Sequence, residues 1–262
     1  MLEFIEITAK DNPLIKLASL LQSSPKARKE NGLFALEGLR ICKDAAENSI
    51  EFDKLIITKS AYDKHKKDID IFAEKSNKCY ILSENLFKKI SDTNSPQGII
   101  VLAKIPSLSA VVSKEKRYIA LENIADPSNL GAVSRTAEAL GIDGIILSSN
   151  GCDPYSPKSL RSSMGTLLRI PLFITDDISA FIKDNGLKGY ACIVDSKAEK
   201  IGNIKFSSGD VLMIGNEANG LSENAKNQAY KLITIPMQGN AESLNAAAAA
   251  AIAMWEMVRN DG

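Results

Sequence analysis

Apolar positions along the chain fall into two alternating rhythms: short aliphatic runs such as LIIT, IIVL, GIIL and VLMI, and longer stretches with apolar residues three and four apart. The first rhythm predicts buried strands and the second amphipathic helices, so the chain reads as α/β throughout. In the front part, LIKLASLLQS spaces Leu14, Leu17, Leu20 and Leu21 along one helix face. LFALEGLRICKDAAEN reads as a strand running into a helix, DKLIIT as a strand and AYDKHKKDIDIFAEK as a charged amphipathic helix. CYIL is a third strand, ENLFKKIS a short helix and QGIIVLAKIP a fourth strand closed by Pro106. The opening MLEFIEITAKDNP reads as a polar loop, and SSPKARKENG as a basic connection rich in helix breakers.

The second part alternates more cleanly. YIALEN, GIIL, PLFI, GYACIVD, DVLMIG and ITI read as six strands; Ser128 to Leu140, SPKSLRSSMGTLL, DDISAFIKDNG and LSENAKNQA read as intervening helices. That order predicts a parallel, doubly wound sheet, in which ligands gather at the C-terminal ends of strands. Ile233-Thr234-Ile235 is β-branched throughout, and Pro236 removes a ladder donor and ends it. Gly239 and Asn240 suit the loop that follows, Ser243 or Glu242 can cap the next helix, and the Ala-rich run from Leu244 has high helix propensity. The breaks divide the chain into an N-terminal extension (1–30), a small α/β domain (31–106), a linker (107–117) and a second α/β domain (118–262).

Net charge is zero, but residues 1–117 hold 20 Lys and Arg against 16 Asp and Glu, whereas residues 118–262 hold 12 against 16. The front is thus +4 and the back −4, a mild preference for an anionic partner at the front. No apolar run approaches the roughly 18 residues of a membrane span, and the start lacks the order of a signal peptide, so a cytoplasmic protein with no membrane contact is expected. Cys42, Cys79, Cys152 and Cys192 are far apart and show neither metal-ligand nor disulfide spacing, so no metal is expected. The single histidine, His65, lies among solvated charges, which leaves no imidazole for a triad.

Three loops follow strands: ENIADPSNLGAVSRTAEALG, IGNEANGLS and IPMQGNAESLN. The second has Gly215 and Gly220 but no following Lys-Ser/Thr, so it is not a P-loop. Its turn sets Glu217 directly after a strand. Arg135, taken alone, reads as an i,i+3 partner of Glu138.

Together, in this order, NIADPSNLGAVSRTAEALG, VLMIGNEANGLS and ITIPMQGNAESLNAAAAAAIA resemble the three signature motifs of the SpoU/TrmH family of RNA ribose 2′-O-methyltransferases, in the SPOUT class. The front is similar to the ribosomal-RNA branch of that family through its F-x-x-E-G-x-R pattern, here Phe34-Ala35-Leu36-Glu37-Gly38-Leu39-Arg40. The resemblance implies a SPOUT domain with a deep trefoil knot, preceded by a ribosomal-protein-like RNA-binding domain, and a homodimer. It carries the motif-one asparagine and arginine onto Asn129 and Arg135, the motif-two glutamate onto Glu217, and the motif-three serine and asparagine onto Ser243 and Asn245. It implies S-adenosylmethionine bound by Gly215, Asn216, Ile235, Met237, Ser243 and Leu244. Asn129 is then expected to orient Arg135, and Arg135 to stabilise developing alkoxide, since a guanidinium is a poor general base.

An Ala helix carrying Met254, Trp255 and Met257 also offers an apolar face for a second copy. Three rival readings are a catalytically silent RNA-binding or ribosome-assembly protein, a SPOUT enzyme methylating a base nitrogen, and a methylase acting on transfer RNA. The intact Asn129, Arg135, Glu217 and Asn245 weigh against the first, the form of motif one against the second, and the front domain favours ribosomal RNA over the third.

Overall fold

The structure is a computed structural model and describes residues 4–106 and 111–259. The chain forms two compact units: Met1–Ser107 together with Asp153–Arg169, and Leu108–Cys152 together with Ile170–Gly262. The first four positions of the expected linker, 107–110, lie outside the described residues.

The first unit runs β1 (Phe4–Ile7), α1 (Pro13–Ser23), α2 (Pro25–Asn31), β2 (Leu33–Glu37), α3 (Leu39–Glu47), β3 (Phe52–Thr58), α4 (Lys59–Glu74), β4 (Ser76–Leu82), α5 (Glu84–Ile90) and β5 (Ile99–Lys104). Its sheet has the order β1-β4-β3-β5-β2, with β1, β4 and β3 mutually parallel and β5 antiparallel to both β3 and β2. The strands alternate their aliphatic residues to two faces. Ile56, Leu102 and Ala35 pack with Leu21 of α1 and Phe87 of α5 in one core cluster.

Two expectations need correction here. The opening read as a loop contains β1, an edge strand whose partly polar FIEI pattern concealed it. SSPKARKENG is not a connection but α2: Ser24 accepts a hydrogen bond from Ala27 N at 3.2 Å, Pro25 occupies the first turn, and Gly32 closes the end. The breakers are its caps, placed where a helix tolerates them best.

In the second unit lie β6 (Tyr118–Leu121), α6 (Pro127–Ala139) and β7 (Gly144–Ser148); α7 (Pro157–Ser163) comes next in the chain and belongs to the first unit. Then follow β8 (Leu172–Thr175), α8 (Ile178–Asp184), β9 (Lys188–Cys192), β10 (Glu199–Lys200), β11 (Asp210–Ile214), α9 (Glu223–Gln228), β12 (Lys231–Thr234) and α10 (Ala246–Val258). The order is β10-β12-β9-β11-β6-β7-β8, and every pair is parallel. This is the parallel sheet expected, with the two-residue β10 added at one edge. Val211, Ala120, Ile146 and Ala191 of the central strands pack with Ile182 of α8 and Ala225 of α9, and α10 packs on α6 and β11.

Within the expected domain 118–262, the segment 153–169 packs with the first unit. Tyr155 packs on Phe34 with ring centroids 5.0 Å apart, and the buried Arg28 holds Asp153 at 2.6 Å while its Nη1 donates to Leu21 O. The single helix expected over SPKSLRSSMGTLL also ends early. Met164 and Gly165 adopt left-handed backbone, and a short 3-10 turn at Thr166–Leu168 follows.

Candidate active site

β12, β9 and β11 are adjacent in the sheet, and the loops leaving their C-terminal ends enclose a cleft of about 600 Å³. Ile193 to Asp195 line it after β9, Gly215 to Leu221 after β11, and Ile235, Met237 and Glu242 to Leu244 after β12. A parallel sheet puts such a cleft where successive strands release their loops on the same edge.

The loop after β11 is folded tightly on itself. Asn216 and Gly220 exchange backbone hydrogen bonds at 3.1 and 2.9 Å, and the Asn216 side-chain oxygen accepts from Ala218 N and Asn219 N. A Cβ at Gly215 would lie 2.1 Å from backbone atoms of Gly220 and Leu221, so only glycine permits the closure.

The three motifs meet at one network of side chains. Asn129 Nδ2 donates to Glu217 Oε1 at 2.7 Å, and Asn245 Nδ2 donates to Asn129 Oδ1 at 3.1 Å. Glu217 Oε2 accepts from Ala125 N at 3.3 Å. Asn245 spends its own oxygen on capping α10, accepting from Ala247 N and Ala248 N. Each amide thus uses both its donor and its acceptor, which fixes its orientation. Asp126 caps α6 in turn, with Pro127 in the first turn, so the buried Asn129 projects from a rigid helix start. Burial raises the proton affinity of Glu217, but the bonds from Asn129 and from backbone amides outweigh it and hold the carboxyl below its ordinary value.

The residues carried over from the motifs therefore divide. Gly215, Asn216, Glu217, Ile235, Met237, Ser243 and Leu244 all line the cleft. Asn129 and Asn245 stand behind it as supports. Arg135 does not line the cleft; it is exposed on α6 and makes no ion pair among the described residues, so the salt bridge to Glu138 does not form. Asn129 does not orient Arg135, because its amide is committed to Glu217 and Asn245. Nor does Ser243 or Glu242 cap α10, a place taken by Asn245, which frees Ser243 for the cleft.

Several participants escaped the sequence. Asn123, at φ 54°, accepts from Asn216 Nδ2 through its carbonyl at 2.8 Å and is held by Ser148, whose Oγ accepts from Asn123 N and donates to Asn123 Oδ1. Glu122 accepts from both Ser222 N and Ser222 Oγ at 2.7 and 2.8 Å, tying the far end of the β11 loop back to β6. The Asn at a strand end was the available signal, since Asn favours turns and tolerates left-handed backbone.

The lining suits S-adenosylmethionine. Ile235, Met237 and Leu244 supply an apolar wall, while Asp195, Glu217, Glu223 and Glu242 face one lysine, Lys226. An acid-rich cleft with an apolar wall matches a cofactor that combines a flat base with sulfonium and ammonium charges. Cys192 also lines the cleft, but burial pushes its thiol up to about 11, so it stays protonated and is no nucleophile. Among the described residues no cluster of His, Cys, Asp and Glu could hold a metal ion.

Comparison with known proteins agrees with this geometry. Residues 116–255 match the model of the SpoU rRNA Methylase family, and residues 12–101 match the MRM3-like substrate binding domain. The 23S rRNA (guanosine(2553)-2′-O)-methyltransferase RlmP of Bacillus subtilis is 28% identical over 88% of this chain and 91% of its own. An AdoMet-bound rRNA methyltransferase from Sinorhizobium meliloti superposes with a TM-score of 0.85 at 28% identity, covering 97% of each chain. The fold is shared as well by the SpoU methyltransferase AviRb from Streptomyces viridochromogenes, at a TM-score of 0.84 and 24% identity over 95% of this chain and 98% of that one. With its cleft at the ends of β9, β11 and β12 and its three motifs joined through Asn129, this chain belongs to the SpoU rRNA methylase family.

Proposed function

We propose that this chain transfers a methyl group from S-adenosylmethionine to a ribose 2′-hydroxyl of ribosomal RNA. The observation that carries the reading is the joined network Glu217–Asn129–Asn245 beside an acid-rich cleft, which a protein retaining only the fold has no need to keep. When bound, the cofactor supplies a methyl group activated by its sulfonium. Gly215, Asn216, Ile235, Met237, Ser243 and Leu244 hold it, and the carboxylate of Glu217 keeps the β11 loop in place through Asn129 and Ala125.

Attack by a hydroxyl on a sulfonium methyl is an in-line displacement, so the protein contributes position and a favourable field for the oxygen as it gains negative charge. Arg135 is the residue assigned to that field. Its guanidinium is exposed and not consumed by an internal ion pair among the described residues, which suits it to a ribose or phosphate of the RNA. The first unit, matched by a substrate-binding model and the more basic part of the chain, takes the RNA.

A homodimer belongs to the same reading. Met254 and Met257, counted in the sequence as part of an apolar face, are buried within the chain, and the exposed large apolar residues of α10 are Ile252 and Trp255, one turn apart. These two are the surface assigned to the second copy. The trefoil knot is likewise inferred, supported by the return of α10 onto α6 and β11 after the 235–245 loop. Free Cys42, Cys79, Cys152 and Cys192 accord with a reducing, cytoplasmic setting. Mapping ribose methylation across ribosomal RNA from cells with and without the gene tests the activity: one or more 2′-O-methyl positions should vanish with the gene, and an unchanged map overturns the proposal.

A further inference from the structure

The first unit contains a second cavity, of about 390 Å³, which the methyl-transfer site does not use. We infer that it receives one unpaired nucleotide of the RNA, with the base on an apolar wall of Ile41, Leu160 and Met164 and the phosphate on Arg40. The inference rests on the proposed RNA methylation and specifies how the first unit holds its substrate.

The cavity's frame is built from the front motif. Glu37 accepts hydrogen bonds from Thr93 Oγ1 at 2.7 Å, from Asp92 N at 2.8 Å and from Ser91 Oγ, which pins the loop after α5 against the end of β2. Gly38 turns the chain at φ 104°, a conformation that favours glycine, and Gln97 Oε1 then accepts from Leu39 N at 2.8 Å. Gln97 also lines the cavity, and with its oxygen committed its N–H₂ is the group left to donate to the carbonyl edge of a base. Of the two arginines lining the cavity, Arg161 is engaged by Asp92 at 2.7 Å, whereas Arg40 is exposed and forms no ion pair among the described residues. One uncommitted guanidinium on the rim is what a single phosphate needs.

Met164 supplies the independent observation. It sits at φ 51°, at the end of α7, where glycine or asparagine would be cheaper, and its side chain is 42% exposed on the cavity wall. A flexible, polarizable thioether on an open wall is suited to lie against the face of a base. A base splayed from a single-stranded loop is the form in which sequence-specific RNA recognition is most often achieved.

Binding of a ribosomal RNA fragment by the full chain, followed by fluorescence anisotropy across a salt series, tests the assignment. Arg40→Ala should weaken RNA binding about tenfold and lower the slope of log affinity against log salt by about one. Met164→Gly, which suits the left-handed backbone and so preserves the fold, should weaken it about fivefold while leaving the salt slope unchanged. S-adenosylmethionine affinity, measured without RNA, should match wild type in both, since neither residue lines the cofactor cleft. Wild-type affinity and salt slope in both variants, in a protein that methylates the fragment, would overturn this inference alone. A wild-type protein that binds S-adenosylmethionine but never methylates ribosomal RNA would instead overturn the functional reading on which it rests.

Discussion

On α6, Arg135 keeps an exposed guanidinium on the same helix whose first turn anchors the motif network through Asn129. A group that stabilises charge only while the hydroxyl attacks contributes to turnover and not to cofactor binding. Arg135→Ala should therefore lower single-turnover methylation by roughly two to four powers of ten while S-adenosylmethionine affinity stays within a few-fold. Arg135→Lys should recover little, because an ammonium cannot reproduce the planar fork. Glu217 gives the site a pH dependence. Its folded-state proton affinity is depressed, so its contribution to the site is complete above the ordinary glutamate value of about 4.3 and is lost only as pH falls through the lower folded value. Cofactor affinity followed by calorimetry down the acid range should thus persist below that value in the wild type. In Glu217→Gln the same acid limb should be missing.

Among the elements, the β11 loop is the one whose shape depends on a single position. Gly215→Ala places a methyl 2.1 Å from backbone atoms that no rotamer can move, so the Gly215–Gly220 turn must open. The expected outcome is loss of detectable S-adenosylmethionine binding in a chain that still shows its parallel-sheet circular dichroism. Retained affinity would mean that the turn does not shape the cleft. The strands and most helices of this region were readable in advance, because the aliphatic runs of β6, β7, β9 and β11 have the pattern of strands buried on both faces. The six positions assigned to the cofactor by resemblance lie together around the cleft with Glu217, since loops leaving neighbouring parallel strands emerge on the same edge. What could not be read was where breakers act as caps. Ser24-Pro25 opens α2, Asn245 and not Ser243 opens α10, and Met164-Gly165 ends α7 early. The first two depend on which of several adjacent polar side chains finds a backbone partner, and the third on a left-handed backbone at Met164, choices made by packing rather than by local propensity. The support of Asn129 by Glu217 and Asn245 was equally hidden, being a contact across 88 and 116 residues.

For the molecule as a whole, the division of labour follows from its two compact units. The cofactor cleft lies wholly in the second, while the first carries the excess of basic residues and the cavity beside Arg40. The segment 153–169 crosses that division in sequence, with Tyr155 and Arg28 fastening it to the first unit. Association of two copies is expected through Ile252 and Trp255, a small apolar pair whose exposure of 41% and 55% a lone chain does not require. Light scattering at micromolar concentration should give the dimer mass for the wild type and the monomer mass for Trp255→Glu. A monomeric wild type would remove the assigned surface.

The chemistry itself is tested most directly by asking where the methyl group lands. Purified protein, ribosomal RNA and isotopically labelled S-adenosylmethionine are combined under single-turnover conditions, and the RNA is digested to nucleosides for mass spectrometry that fragments sugar from base. The expected result is label confined to the ribose at a 2′-oxygen, and its disappearance in Arg135→Ala. Label on a base, or no transfer by a chain that binds the cofactor, would contradict the account.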